Sequence, residues 1–369
     1  MAQPAPAQSF MISEADAQAW KTEIQRGQRL QAEGKFDEAE NAMVAALKIA
    51  ERFGSSDIRL GASLNTLALL YHARGSYSAA EPLYRRAIRS LEDALGPDHA
   101  ALAKVLGSLS ALYLTQERGA EARPVAERRL AILEKAGNAA PEDIIDALNQ
   151  LSLSEFLEGR FESAERYQGR ALALLEADCE ANAAAIAEGV SNLGVIQAAA
   201  GRYAQAATAF ERALALRRRM GDRDSIAVAR DEGHLAEAYA QRLQFAEAER
   251  LAEGSLERRR QLLPAKHPEI ATTLNNLGDM LRAQAQAKRA ESLFRDALAI
   301  WTTEAGPNHL ETAVSQYNLA MTLADQGRYG DAEQLFGKSL ATLRMRLGPN
   351  HPQVGDVSRA YEQARALAH

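Results

Sequence analysis

Seven histidines, one cysteine and 49 acidic residues are the side chains here that could do chemistry, and their spacing decides which kind. Four histidines recur in one context: Leu95-Gly-Pro-Asp-His99, Ala305-Gly-Pro-Asn-His309, Leu347-Gly-Pro-Asn-His351 and the looser Leu263-Pro-Ala-Lys-His267. An active site is needed once, so a histidine that recurs with its loop is expected to pack or cap. His72 and His234 stand alone and His369 ends the chain, leaving no His-x-x-x-His pair to hold a metal on one helix face. Cys179 has no partner for a disulfide or a thiolate metal site, and its expected role is that of a small filler rather than a reactive thiol. The sequence contains no Gly-x-Ser-x-Gly elbow, no phosphate-binding glycine loop and no dinucleotide fingerprint. The expectation is therefore no catalytic residue, no metal and no cofactor.

The remaining charges read as surface. Carboxylates are scattered among arginines, the pattern of solvated i to i+4 pairs along helices. The runs Arg85-Arg86, Arg128-Arg129, Arg217-Arg218-Arg219 and Arg258-Arg259-Arg260 are expected to offset the negative ends of helix dipoles, with an acidic partner on the outer surface as the alternative. A net charge of -6 and a pI near 5.8 argue against nucleic acid, whose binders carry a basic field. No run reaches the roughly 20 apolar residues that a membrane helix needs, so no membrane insertion is expected. The opening MAQPAPAQ reads either as a disordered native start or as the remainder of a cleaved secretory signal. The protein is expected to be soluble, and cytoplasmic or, if a signal was removed before Ala2, periplasmic.

The elements that carry these groups follow from periodicity. Aligned on the small residue that follows a Gly-x-aromatic turn, as in Gly34-Lys35-Phe36-Asp37-Glu38-Ala39, the chain repeats itself. The anchors are Ala39, Ala80, Ala122, Ala164, Ala206, Ala248, Ala290 and Ala332, spaced by 41 once and 42 six times. That regularity predicts eight units of one array rather than independent domains. Each unit opens with apolar residues on one helix face, such as Leu64, Leu67 and Tyr71, or Leu274, Leu277 and Leu281. A turn with Gly in the helix-ending position follows, and a second helix carries small residues around one aromatic, as in Ala290, Phe294 and Ala297. In the joints Gly stops a helix, Pro prevents its continuation, and Asp or Asn is expected to cap the next.

This unit resembles the tetratricopeptide repeat in its 42-residue form, the kinesin light chain class and its bacterial relatives. The motif Leu274-Asn275-Asn276-Leu277-Gly278, with Ala290-Glu291-Ser292-Leu293-Phe294-Arg295-Asp296-Ala297-Leu298, carries the likeness over residues 16–352. The resemblance implies an all-α right-handed superhelical solenoid of eight repeats. Residues 1–15 are then a disordered or extended segment, and 353–369 a capping helix built on Val354, Val357, Tyr361, Ala364 and Leu367. Repeat one, with Glu23 and Arg26 in slots that are apolar elsewhere, reads as the other end cap. Repeats three, six and seven carry Glu117, Leu243 and Ala285 where the turn wants Gly, so those turns are expected to be differently shaped or less stable.

The resemblance also implies that first helices line an inner groove, with the fifth and sixth positions of each unit, counted from 19 residues before its anchor, pointing inward. Those slots hold Asn65, Asn149, Asn192, Asn275, Asn276 and Asn318, together with Gln150, Gly233, His234 and Tyr317. Asparagine is a poor helix former, so its recurrence has a cause. Either its amide serves the backbone of an extended peptide, or it bridges adjacent first helices and stiffens the array. Lys104, Arg230 and Arg282 are further inward candidates, opposed by Asp146, Glu188, Glu237 and Asp279, so the groove is mixed in sign. The dense Lys and Asn set of carboxylate-clamping relatives is not reproduced within three consecutive repeats. The function expected is a scaffold or adaptor that binds a peptide or protein segment in the groove without turnover. The alternatives are a regulatory or substrate-recruiting part of a larger protease-like or signalling effector, and a self-associating assembly protein.

Overall fold

The computed structural model describes residues 13–177 and 182–369, which form seventeen α-helices with no strand among them. They fall into two compact units, Met1–Asp178 and Cys179–His369, each taken by itself below. Cys179 and residues 1–12 lie outside the described residues. The first unit comprises α1 (Glu14–Ala32), α2 (Phe36–Glu51), α3 (Ile58–Ala73), α4 (Tyr77–Leu95), α5 (Ala101–Thr115), α6 (Gly119–Ala136), α7 (Pro141–Leu157) and α8 (Phe161–Glu176). The second comprises α9 (Ala183–Ala199), α10 (Tyr203–Arg219), α11 (Ile226–Gln241), α12 (Phe245–Leu262), α13 (Pro268–Ala283), α14 (Ala287–Glu304), α15 (Leu310–Asp325), α16 (Tyr329–Leu347) and α17 (Pro352–Ala368). From α1 to α16, odd-numbered first helices pair with the even-numbered second helices that follow them, and α17 lies on α16 and α15. The segment expected to run to residue 15 gives way sooner, because Ser13 already caps α1 by accepting the Asp16 N–H at 3.0 Å.

The joint histidines turn out to be the caps. The Nδ1 atoms of His267, His309 and His351 accept the backbone N–H of Glu269, Glu311 and Gln353 at 3.2, 3.3 and 3.3 Å, and His99 accepts that of Ala101 at 3.1 Å. The sequence offers both these histidines, expected to pack or cap, and the preceding Asp or Asn for this task, and the histidines take it. Asp98 instead pairs with the Lys135 ammonium at 2.6 Å, and the Asn308 carbonyl accepts from Arg346 at 2.9 Å. An imidazole nitrogen offers the same acceptor as a carboxylate and adds a ring that packs, as His309 does on Trp301 with centroids 6.0 Å apart.

All eight turns inside the helix pairs share one shape. Gly34, Gly75, Gly159, Gly201 and Gly327 are left-handed with φ between 70 and 75°, and Glu117, Leu243 and Ala285 take the same conformation at φ 57, 61 and 59°. The three departures therefore keep the turn and carry its strain, about 1–2 kcal/mol each for a side chain in that region.

The eight anchor alanines are completely buried. A methyl group is what the crossing of two helices admits there, and four residues on Tyr84, Phe210, Phe294 and Phe336 fill the widening gap, none more than 1% exposed. Phe210 and Phe294 reach in because Gly194 and Gly278 face them; a Cβ at either glycine would lie 2.7 Å from the ring. At the C-terminal end Val354, Val357 and Ala364 are buried, whereas Leu367 is exposed.

Carboxylates also join the repeats, a role the scattered-charge reading does not foresee. Pairs at i to i+4 exist, but the glutamate after an anchor also reaches the next repeat. Glu40 accepts from Tyr71 at 2.7 Å and Arg74 at 2.8 Å, Glu81 from Tyr113 at 3.0 Å and Arg118 at 2.8 Å, and Glu291 from Gln326 and Arg328, both at 2.9 Å. Burial pushes the Glu291 carboxyl up, but hydrogen bonds from Arg295, Gln326 and Arg328 outweigh it and hold the group down at about 2.

The arginine runs also read differently in three dimensions. Arg129, Arg217 and Arg259 are 6, 5 and 8% exposed, so one arginine in three of the four runs turns inward rather than serving a helix dipole, while Arg85 and Arg86 both stay exposed. Arg217 and Arg259 stand eleven residues after their anchors, where other repeats have Leu91, Leu133, Leu175 and Leu343. Arg217 donates to Asp231 at 2.7 Å and to Glu188 at 3.0 Å, and the fully buried Asp231 accepts from Ser191 at 2.6 Å. Arg259 donates to the Ala229 carbonyl at 3.0 Å and to Glu269 at 3.3 Å, while Arg129 binds Asp146. Their neighbours in the runs, Arg218, Arg219 and Arg260, stay exposed.

Candidate functional site

Two faces compete for the side chains of a first helix. One packs on the next first helix and the other is left open. The fifth and sixth positions, both expected to face inward, part between them. At the fifth, Asn65, Gly107, Ser191 and Asn275 are buried; at the sixth, Thr66, Ser108, Gln150, Asn192, His234, Asn276 and Asn318 all keep contact with water. One residue along a helix is about 100° of rotation, enough to carry a side chain from the seam to the open wall.

Asn65 and Asn275 are each only 6% exposed and are corrected from groove residues to seam residues. Asn275 donates to the Ser315 hydroxyl of the next first helix at 2.9 Å, and its own carbonyl oxygen has no partner. Asn149 lies half-buried on α7, also with an unpartnered carbonyl oxygen, while its neighbour Gln150 donates to the Gly107 carbonyl at 3.2 Å. Tyr317 packs its ring on Phe336, centroids 5.8 Å apart. The sixth position bridges as well, but at the surface: Asn276 donates to Glu237, and Asn318 to Asp279 at 3.3 Å. Asn192 is exposed on α9.

The cations are mostly spoken for. Arg230 donates to Glu188 at 2.7 Å, and Arg282 to Asp325 at 2.6 Å rather than to Asp279. Burial raises the Glu188 carboxyl, and the two guanidiniums of Arg230 and Arg217 more than reverse it. Lys104 is exposed and has no ion-pair partner among the described residues. In the first unit it borders an open pocket of about 790 Å³ with His72, Ser108 and Gln150.

In the second unit the open face of α9, α11 and α13 forms a pocket of about 730 Å³. His234 and Asn276 line it, the former stacked on Phe210 at 5.4 Å, and so do Glu237 and Asp279, which occupy the same position of consecutive repeats 42 residues apart. Val195, Tyr203, Leu243, Phe245 and Met280 supply apolar walls. Asp279 is exposed at the mouth of the pocket, yet the walls around it displace enough solvent to push its carboxyl up to about 6, with nearby Arg282 pulling the other way.

These apolar walls are what sequence reasoning missed. Val195 and Met280 read as core in any helical pattern. Leu243 carries a signal beyond strain: a leucine in a left-handed, water-facing turn, 75% exposed, breaks two local rules at once. Among the described residues no group of three or more His, Cys, Asp or Glu is placed to hold a metal, and no helix is long and apolar enough to cross a membrane.

A family model described as tetratricopeptide repeat matches residues 20–93, 143–219, 226–303 and 269–345. No curated protein matches the sequence. Solved structures do. The apo form of the quorum sensor NprR from B. thuringiensis is 14% identical with a TM-score of 0.63, covering 88% of this chain and 87% of that one. Aspartyl phosphate phosphatase F from Bacillus subtilis is 11% identical with a TM-score of 0.60, covering 94% and 97%. A tetratricopeptide repeat protein from Parabacteroides merdae is 17% identical with a TM-score of 0.57, covering 83% and 99%. At such identities the likeness is one of fold.

Proposed function

The chain belongs to the tetratricopeptide repeat family, and from that premise we propose that it is a scaffold or adaptor that binds a peptide or protein segment on the open face of its first helices, without turnover. We read it as eight repeats closed by the helix at 353–369. The observation that carries the binding reading is the set of water-facing polar side chains at the sixth position of successive repeats within each unit, Thr66, Ser108 and Gln150 in the first and Asn192, His234, Asn276 and Asn318 in the second. Polar groups that recur once per repeat within a unit offer donors and acceptors suited to an extended backbone whatever its side chains. Binding without turnover is supported by the histidines, four of which use Nδ1 to cap helices.

The test compares two baits, the full chain and its Asn192→Ala/Asn276→Ala/Asn318→Ala variant. Proteins from the source cell that the wild type retains and the variant loses by tenfold or more are ligands of this face. The variant should melt normally, since half-exposed substitutions of this kind shift stability by about 0.5 kcal/mol each. Identical sets of retained proteins would remove the face from consideration.

A further inference from the structure

The charges on the open face of the second unit are matched with one exception. Glu188 has Arg230 at 2.7 Å and Arg217 at 3.0 Å, and Asp325 has Arg282 at 2.6 Å. The pocket between α9, α11 and α13 instead holds two carboxylates, Glu237 and Asp279, and no lysine or arginine lines it. Glu237 has an amide donor in Asn276 and the His234 ring at 3.9 Å, and Asp279 has the Asn318 amide at 3.3 Å. Arg282, whose charge acts on Asp279, is held by Asp325.

Position nine of the first helix holds these acids only in the two repeats that frame the pocket; its counterparts are Leu69, Ala111, Leu153, Val195 and Met321. Adjacent helices pack about 8–10 Å apart, so a single cation can lie between two carboxylates presented at the same level. The rest of the lining is apolar: Val195 and Ala198 from α9, Tyr203 and Phe245 at the starts of second helices, and the 75% exposed Leu243. Such walls suit the methylene stem of a long basic side chain, which buries its carbons while its charged head finds partners.

We propose, resting on the binding function above, that this pocket takes a lysine or arginine side chain of the bound peptide, with an apolar neighbour of that residue seated against Leu243 and Phe245. The occupant is thus a segment with a basic residue beside an apolar one. Its cation supplies the positive charge that the pocket lacks, and its attraction offsets the desolvation that lifts the Asp279 carboxyl.

The experiment selects from a random dodecapeptide library displayed on phage, using the full chain as target, and measures the selected peptides as labelled synthetic probes by fluorescence polarisation. The expected winners carry Lys or Arg next to an aliphatic or aromatic residue. The Glu237→Gln/Asp279→Asn variant, which keeps shape and hydrogen bonding at two water-exposed sites, should bind them at least tenfold more weakly. Replacing the basic residue of the probe by norleucine should cost the wild type as much and the variant nothing further. Winners without a basic residue, or basic winners that bind the variant as tightly as the wild type, overturn the pocket assignment. In that case the scaffold reading survives if the same probes weaken on the Asn192→Ala/Asn276→Ala/Asn318→Ala variant. Failure to select any peptide above a blank support overturns both.

Discussion

Breaking the buried pair between Arg217 and Asp231 tests whether charge has replaced hydrocarbon as the cement between neighbouring repeats. Asp231 is fully buried and Arg217 is 5% exposed, with their nitrogen and oxygen 2.7 Å apart. Removing one member of such a pair leaves the other charged in a low dielectric, which typically costs 3–5 kcal/mol. Here each survivor keeps a second partner: Arg217 has Glu188 at 3.0 Å, and Asp231 has the Ser191 hydroxyl at 2.6 Å. Asp231→Ala and Arg217→Leu should therefore each sit near the lower end, about 3 kcal/mol. The double variant restores the leucine that other repeats carry in the Arg217 slot and removes both charges, and should fall within about 1 kcal/mol of wild type. Urea unfolding followed by far-ultraviolet circular dichroism at pH 7 gives the comparison, and amide exchange over α9 to α11 gives the local one, since a repeat array can open in parts. A double variant no more stable than either single one would mean that the two side chains act independently and that the seam does not depend on their pairing.

Three further outcomes are expected. For Glu291, the folded carboxyl lies at about 2 against an ordinary 4.5, so its contribution is fully present above pH 4.5 and is lost as pH falls towards 2. Discounted for its exposed edge, Glu291→Gln should lose about 2 kcal/mol at pH 7, with the gap to wild type closing in acid; a gap independent of pH would refute the assignment. Asp279 has the opposite sign, because its folded carboxyl is raised from 3.8 to about 6, so wild-type stability falls as pH climbs through that window. Water at the carboxylate limits the effect, and Asp279→Asn should gain about 1 kcal/mol or less at pH 7 and nothing at pH 3; a loss at pH 7 would contradict the raised value. Finally, Ala285→Gly should raise stability by about 0.5–1 kcal/mol, read as a higher urea midpoint, since relief of the left-handed methyl exceeds the added freedom of the unfolded chain, and a lowered midpoint would show that the turn is not strained.

The sequence by itself determined the helix pairs, their 42-residue spacing and the residues of the core, because those depend on local rules that repeat. An alanine at each of eight crossings, a left-handed turn in each pair and, in four of them, an aromatic four residues after the alanine are set by contacts within one pair, and periodicity exposes them. Even the irregular turns at Glu117, Leu243 and Ala285 were visible as departures from glycine. Tertiary structure decided what each polar side chain faces. Asn275 and Asn276 are neighbours in sequence with the same chemistry, yet one is sealed against Ser315 and the other lines an open pocket. Arg217 and Arg218 divide in the same way, one buried on Asp231 and the other in water. A rotation of about 100° per residue separates seam from wall, and where that boundary falls depends on how far each repeat is turned against the next. That Glu237 and Asp279 line one pocket likewise follows only once the repeats are stacked, since 42 residues of chain separate them.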